Sequence, residues 1–152
     1  MAGGKTVSWH VVPDTSVVVK WFRQGEVLAV PALALRTAYL GGGAQISLPT
    51  LLAYELANVL RFKNDLTVTK VEEAVQSLFD MDLNWIAPTA KVMCRAVVVA
   101  REFNSTVYDA VFAATAEALG ATFVTADERL AGRLQNLPCV RPLADWFTEF
   151  QE

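Results

Sequence analysis

Four acidic residues stand apart by their surroundings: Asp14, Glu55, Asp109 and Asp127. Asp14 closes the apolar, β-branched run Val11-Val12-Pro13, and a second apolar run, Val17-Val18-Val19, follows Thr15-Ser16. That pattern is a buried strand ending at a carboxylate, with a helix starting beside it. Asp127 repeats it at the end of Ala121-Thr122-Phe123-Val124-Thr125-Ala126. Either acid reads equally well as a helix N-cap, whose carboxylate accepts a bond from an early helix N–H, worth about 1 kcal/mol. The two roles are compatible, because a capping carboxylate keeps lone pairs for a metal.

Glu55 is the more informative acid. In Leu51-Leu52-Ala53-Tyr54-Glu55-Leu56-Ala57-Asn58-Val59-Leu60 it lies along the apolar stripe formed by Leu51, Leu52 and Val59, not opposite it. A buried carboxylate without a partner costs several kcal/mol or takes up a proton, so a base, hydrogen bonds or a metal should compensate. Arg61, six positions on, is poorly placed to share its face. The alternative is an amphipathic helix that tolerates one Glu. Asp109 follows Thr106 by three, the spacing of a capping box with Asp in place of Glu, and the helix dipole alone would favour an acid there. Ala113 and Ala116 share its face and would let another element or a substrate approach. Ser16 and Thr125 add hydroxyls able to orient a carboxylate or a metal-bound water. Gathered carboxylates without His or Cys suit Mg²⁺ or Mn²⁺, which take oxygen ligands. The single histidine, His10, sits inside a strand, which disfavours zinc or His-based acid–base chemistry. Cys94 and Cys139 are too few and too far apart for a zinc site; they read as buried thiols, with one disulfide left open.

The elements that must carry these residues alternate between short apolar strands and longer helices. Strands are expected at Ser8–Val12, Ile46–Leu48, Leu83–Ile86, Thr122–Thr125 and Cys139–Arg141. Helices are expected from Thr15 to Arg23, Glu26 to Leu40 with a kink or break at Pro31, Thr50 to Lys63, Lys70 to Asp80, Thr89 to Phe103, Val107 to Leu119, Glu128 to Gln135 and Ala144 to Phe150. Thr69 and Glu72 have capping-box spacing for the fourth helix. Gly41-Gly42-Gly43 reads as a loop, Asn104-Ser105 as a turn and Gly120 as a helix stop. This alternation argues for an α/β fold with a mainly parallel sheet of four to five short strands covered on both faces. In such sheets ligands bind beyond the carboxyl ends of the strands, where Asp14 and Asp127 fall.

The chain has 152 residues, 53% hydrophobic and 19% charged, with a formal net charge of −3. One globular domain spanning residues 1–152, with a core over about 8–147, is expected. No apolar run reaches a membrane span, and Met1 to Thr6 lacks the apolar centre of a signal peptide, so a cytoplasmic protein is the expectation.

Taken together, Val12-Pro13-Asp14-Thr15-Ser16, Tyr54-Glu55-Leu56-Ala57-Asn58, Tyr108 to Ala116 and Gly120 to Asp127 resemble the PIN domain, and within it the small VapC-type toxin ribonucleases. The likeness runs from about Ser8 to Phe147. It implies a three-layer α/β/α sandwich whose acids bind Mg²⁺ or Mn²⁺ in one pocket and hydrolyse single-stranded RNA, leaving a 5′-phosphate and a 3′-hydroxyl. The family's four acidic positions fall on Asp14, Glu55, Asp109 and Asp127, and its hydroxyl positions on Ser16 and Thr125. It also implies a homodimer and inhibition by a cognate antitoxin. Lys20, Arg23, Arg61, Lys63, Arg129 and Arg133 lie on elements that carry or follow the acids and are candidates to hold the RNA backbone, although each reads equally as part of a solvated face.

Rival strand-end Asp enzymes fit less well. A haloacid-dehalogenase phosphotransferase needs a second acid two places on, where Ser16 stands. A dinucleotide-binding fold needs GxGxxG after the first strand, and the glycines at 41–43 follow a helix instead. A receiver domain would want paired acids after strand one and a late helper Lys. Two alternatives stay open: a PIN-fold binding module that cuts poorly, and a nuclease of RNA processing that is not a toxin.

Overall fold

In a computed structural model of the chain, residues 8–152 are described. The elements in order are β1 (Trp9–Pro13), α1 (Thr15–Phe22), α2 (Ala29–Leu40), β2 (Ala44–Pro49), α3 (Leu51–Arg61), α4 (Val68–Asp80), β3 (Asn84–Ile86), α5 (Ala90–Phe103), α6 (Val107–Leu119), β4 (Thr122–Thr125), α7 (Glu128–Arg133), β5 (Val140–Pro142) and α8 (Leu143–Gln151). The strands form one parallel sheet in the order β3-β2-β1-β4-β5. Helices cover both faces, giving the expected α/β/α sandwich. α6 lies across β1, β2 and β4 with α5 packed on it, and α1, α2 and α3 form a second packed group.

The sheet centre is apolar because β1 is covered on both faces and flanked on both edges. Val11 pairs with Ile46 on one side and Thr122 on the other, and Val11 and Val12 are fully buried. Such strands read as continuous β-branched runs, as this one does. Phe112 of α6 stacks on Phe123 of β4 at 6.2 Å between ring centres. Trp21 is buried and donates its indole N–H to the Ala32 carbonyl at 2.8 Å, tying α1 to α2, while Trp146 is buried against Trp9 and Phe150. Phe22 and Phe147 are partly buried against the same core.

The topology locates the crevice. The chain runs outward from β1 to β2 and β3, then returns to the other side of β1 with β4 and β5. The order therefore reverses between β1 and β4, and the space beyond their carboxyl ends is the switch point of an open parallel sheet. β1, β2 and β5 all end in proline, which has no N–H to extend a ladder and closes each strand at this edge.

Several boundaries differ from expectation, and two differences have clear causes. α2 is one unbroken helix that begins at Ala29, not Glu26. Leu28 takes a left-handed φ of 62°, which ends the preceding turn, so Pro31 falls in the first helical turn where its missing N–H is no loss. The kink expected at Pro31 is absent. α4 begins at Val68 and is capped by Thr67, whose hydroxyl accepts from the Lys70 N–H at 3.2 Å. Thr69 lies inside the helix, so the Thr69–Glu72 capping box does not form. Cys94 is exposed rather than buried; Cys139 is half-buried, and both are free thiols. Among the described residues no helix is long and apolar enough to cross a membrane. The expectation about Met1 to Thr6 lies outside the described residues.

Candidate active site

The two strand-end acids are built as the sequence suggests. Asp14 caps α1, accepting from the Ser16 N–H at 3.1 Å, and its own N–H donates to the Val124 carbonyl at 3.2 Å, which draws the end of β1 against β4. Asp127 caps α7, accepting from the Leu130 N–H at 3.1 Å. The capping role is therefore real for both. Two hydroxyls join the junctions. Ser16 donates its hydroxyl to one Asp14 carboxylate oxygen, Oδ1, and accepts from the Ala126 N–H at 2.9 Å. Thr125 donates to the other, Oδ2, at 2.6 Å and accepts from the Asp127 N–H at 3.1 Å. Both hydroxyls are thus locked between a carboxylate and a backbone amide, and they fix Asp14 in one orientation.

Glu55 comes from α3 and Asp109 from the first turn of α6, where Thr106 caps the helix by accepting from the Asp109 N–H at 3.0 Å. All four acids line one cavity of about 340 Å³, together with Thr15, Ser16, Val19, Asn58, Val59 and Phe112. Four separate elements thus deliver one carboxylate each to the switch point. Asp14 is buried, Glu55 and Asp109 are half-buried, and Asp127 is exposed. Among the described residues no Lys or Arg forms an ion pair with any of them.

Their electrostatics follow. Burial pushes the Asp14 carboxyl up to about 6; the Ser16 and Thr125 hydrogen bonds pull it down, and the charges of Asp109 and Asp127 push it up further. Burial also raises Glu55, the Thr15 hydroxyl opposes that rise, and the Asp109 charge adds to it. Asp109 is raised by burial and then by Asp127, against the Thr106 hydrogen bond and the Arg133 charge. Mutual repulsion among carboxylates that make no ion pair among the described residues suits a divalent ion. Among the described residues, however, no three acidic, His or Cys side chains stand close enough to grip one ion as they are placed.

The basic candidates separate from the acids. None of the six lines the cavity. Arg23 is held by Glu26 at 2.9 Å and Asp65 at 3.2 Å, so its charge is already matched. Arg61 lies over the Phe62 ring at 4.4 Å and lines a groove between α3 and α4. Arg133 donates to the Asn104 carbonyl at 3.2 Å, and its charge reaches Asp109. Lys20, Lys63 and Arg129 are in no ion pair among the described residues. Sequence reasoning gave no role to Thr15 or Asn58. Thr15 donates its hydroxyl to Glu55 Oε1 at 2.8 Å, and Asn58 lies one helical turn beyond Glu55 on the cavity wall. His10 is a packed strand residue bonded to the Ser47 hydroxyl at 2.8 Å.

A parallel sheet in this strand order, with four acids at its switch point, defines a class of α/β domain carrying an acidic, oxygen-donor site. The PIN domain signature matches residues 11–133, most of the chain, and this chain belongs to the PIN domain family. No curated protein sequence matches it. Solved structures similar to it include PAE2754 from Pyrobaculum aerophilum, with 17% identity, 98% of each chain covered and a TM-score of 0.66. A toxin–antitoxin complex from Klebsiella pneumoniae matches at 16% identity, covering 88% of this chain and 97% of that one, with a TM-score of 0.64. VapC20 from Mycobacterium tuberculosis, a sarcin–ricin loop cleaving toxin, matches at 15% identity over 87% and 99%, with a TM-score of 0.63. At these identities the likeness is one of fold.

Proposed function

We propose that this protein is a metal-dependent endoribonuclease acting on single-stranded RNA, the toxin of a VapBC-type toxin–antitoxin pair. The observation that carries the reading is that Asp14, Glu55, Asp109 and Asp127 converge on one cavity with no ion pair to any of them among the described residues. Membership of the PIN family and fold-level likeness to VapBC proteins support it.

In this reading Asp14, Asp109 and Asp127 hold Mg²⁺ or Mn²⁺, directly or through the waters that Mg²⁺ retains. Bound there, the ion supplies charge for the scissile phosphate and lowers the pKa of the attacking water. Ser16 and Thr125 hold the Asp14 carboxylate in one orientation where it lines the cavity. Glu55, brought to the cavity by α3, would orient the water or help to place a second ion. Lys20, Lys63, Arg129 and Arg133 are the basic residues left to hold RNA phosphates beside the cavity; Arg23 and Arg61 are spoken for by Glu26, Asp65 and Phe62. The protein works in the cytoplasm as a homodimer and is silenced by a small antitoxin.

The test is cleavage of a mixed RNA pool with Mg²⁺ or Mn²⁺ and with the metal chelated. Metal-dependent cutting that Asp14→Asn and Asp109→Asn each reduce by more than about 100-fold is expected, since loss of groups merely supporting a metal site already costs about 10–100-fold. Cutting that survives both substitutions would rule out this site. Tight RNA or antitoxin binding without cutting would make the protein a binding module.

A further inference from the structure

We infer that Thr15 is a positioning residue for Glu55: its hydroxyl holds the Glu55 carboxylate in place on the cavity wall. The inference rests on the reading of the four acids as a nuclease site.

Thr15 is the first residue of α1, and its hydroxyl donates to Glu55 Oε1 at 2.8 Å across 40 positions of sequence. A Thr hydroxyl within a helix commonly turns back to a carbonyl one turn earlier. At the first helical position there is no earlier turn: four residues back lies Val11, inside β1. Nor is this hydroxyl needed as a cap, because Asp14 fills that place. It is free to work across the cavity.

Its anchor is firm. Val17, Val18, Val19 and Trp21 bury α1, so the Thr15 backbone cannot drift, and a β-branched side chain has few χ1 states. Glu55 needs such a hold. It is half-buried beside Leu52 and Leu56, has no ion pair among the described residues, and has three rotatable bonds. The next residue, Ser16, serves Asp14 in the same way. Adjacent hydroxyls on one helix start therefore fix two acids that arrive from different elements.

Four variants test this: Thr15→Val, Thr15→Ser, Glu55→Gln and the double Thr15→Val/Glu55→Gln. Thr15→Val should lower kcat on single-stranded RNA by about 10–100-fold, with KM changed by less than about twofold. Thr15→Ser should recover most of that loss. In the Glu55→Gln background Thr15→Val should cost nothing further, because the hydroxyl acts through Glu55. A crystal structure of metal-free Thr15→Val should show the Glu55 carboxylate moved, and that of Thr15→Ser should show it in place. Thr15→Ala provides the same reading if the Val variant does not fold. Full activity in Thr15→Val, an undiminished further loss in the double variant, or an unmoved Glu55 would each overturn the inference. Failure of the nuclease reading looks different: wild type itself does not cut, while the crystal structures still decide whether Thr15 holds Glu55.

Discussion

Asp14 illustrates how a site residue can weaken the fold that holds it. At 6% exposure, and with two other acids acting on it, its carboxyl titrates near 6 against an ordinary 3.8. The folded protein therefore binds more protons than the unfolded chain between those values, and stability falls as pH rises through that window. The contribution is about 3 kcal/mol, recovered as pH drops from about 7 to about 4. Urea unfolding of the metal-free protein should show this slope in wild type and lose it in Asp14→Asn, which should be at least as stable at pH 7.5. Adding Mn²⁺ at about 100 times its Kd should then stabilise wild type by about 2.7 kcal/mol, or roughly 5–10 °C in Tm, and leave Asp14→Asn unmoved. An equal shift in both proteins would place the ion elsewhere. At this scale much was legible. The strand–acid–helix repeat at Asp14 and Asp127 and the apolar stripe around Glu55 are local patterns, and the cavity contains all three. The Thr15–Glu55 bond was not legible, because it depends on how α1 packs against α3 and no local pattern encodes a contact 40 residues apart.

Elements were readable where one signal dominated and shifted where two competed. Gly120 stops α6 with a φ of 63°, and Asn104 ends α5 at 55°, as their types favour. At α4 the capping-box spacing of Thr69 to Glu72 pointed to Thr69 as the cap. Thr67 took the position instead, which put Lys70 where a capping box needs Glu. The stability consequence is specific. Thr67→Ala should cost about 1 kcal/mol, while Thr69→Ala should stay within about 0.5 kcal/mol, by urea unfolding. Equal losses would mean that the helix start is shared. At α2 the helical pattern extended through Glu26 to Leu28 because nothing in a leucine announces a left-handed backbone, yet Leu28 sits at a φ of 62° and the helix starts after it. The basic residues show the same limit. Arg23 looked available until Asp65, 42 positions away, came to rest beside it.

Over the whole molecule, the α/β class followed from the alternation of short strands and long helices, and the sheet is parallel throughout. The strand order was not readable, since five short apolar strands carry little to rank their neighbours. The order matters because it seats β4, the strand before Asp127, directly against β1. Phe123, fully buried on β4 and stacked on Phe112, is the pin of that pairing. Phe123→Ala should lower unfolding stability by about 3–5 kcal/mol, measured in urea, and RNA cleavage should fall with the folded fraction. A loss under about 1 kcal/mol would mean that β4 is held by its ladder alone. The same pairing has a consequence for biosynthesis. One of the two hydroxyls that lock Asp14, that of Thr125, belongs to a residue made 111 positions later. At cellular synthesis rates of about 5–20 residues per second, roughly 6–22 seconds separate the two. Throughout that interval the growing chain lacks the strand that covers one edge of β1 and has only part of its acid pocket, so on the proposed reading a ribosome carrying it is not yet carrying a nuclease. On the proposed ribonuclease reading, any RNA within reach of the translating ribosome, its own message included, is safe from this chain until the fourth strand has been made and docked.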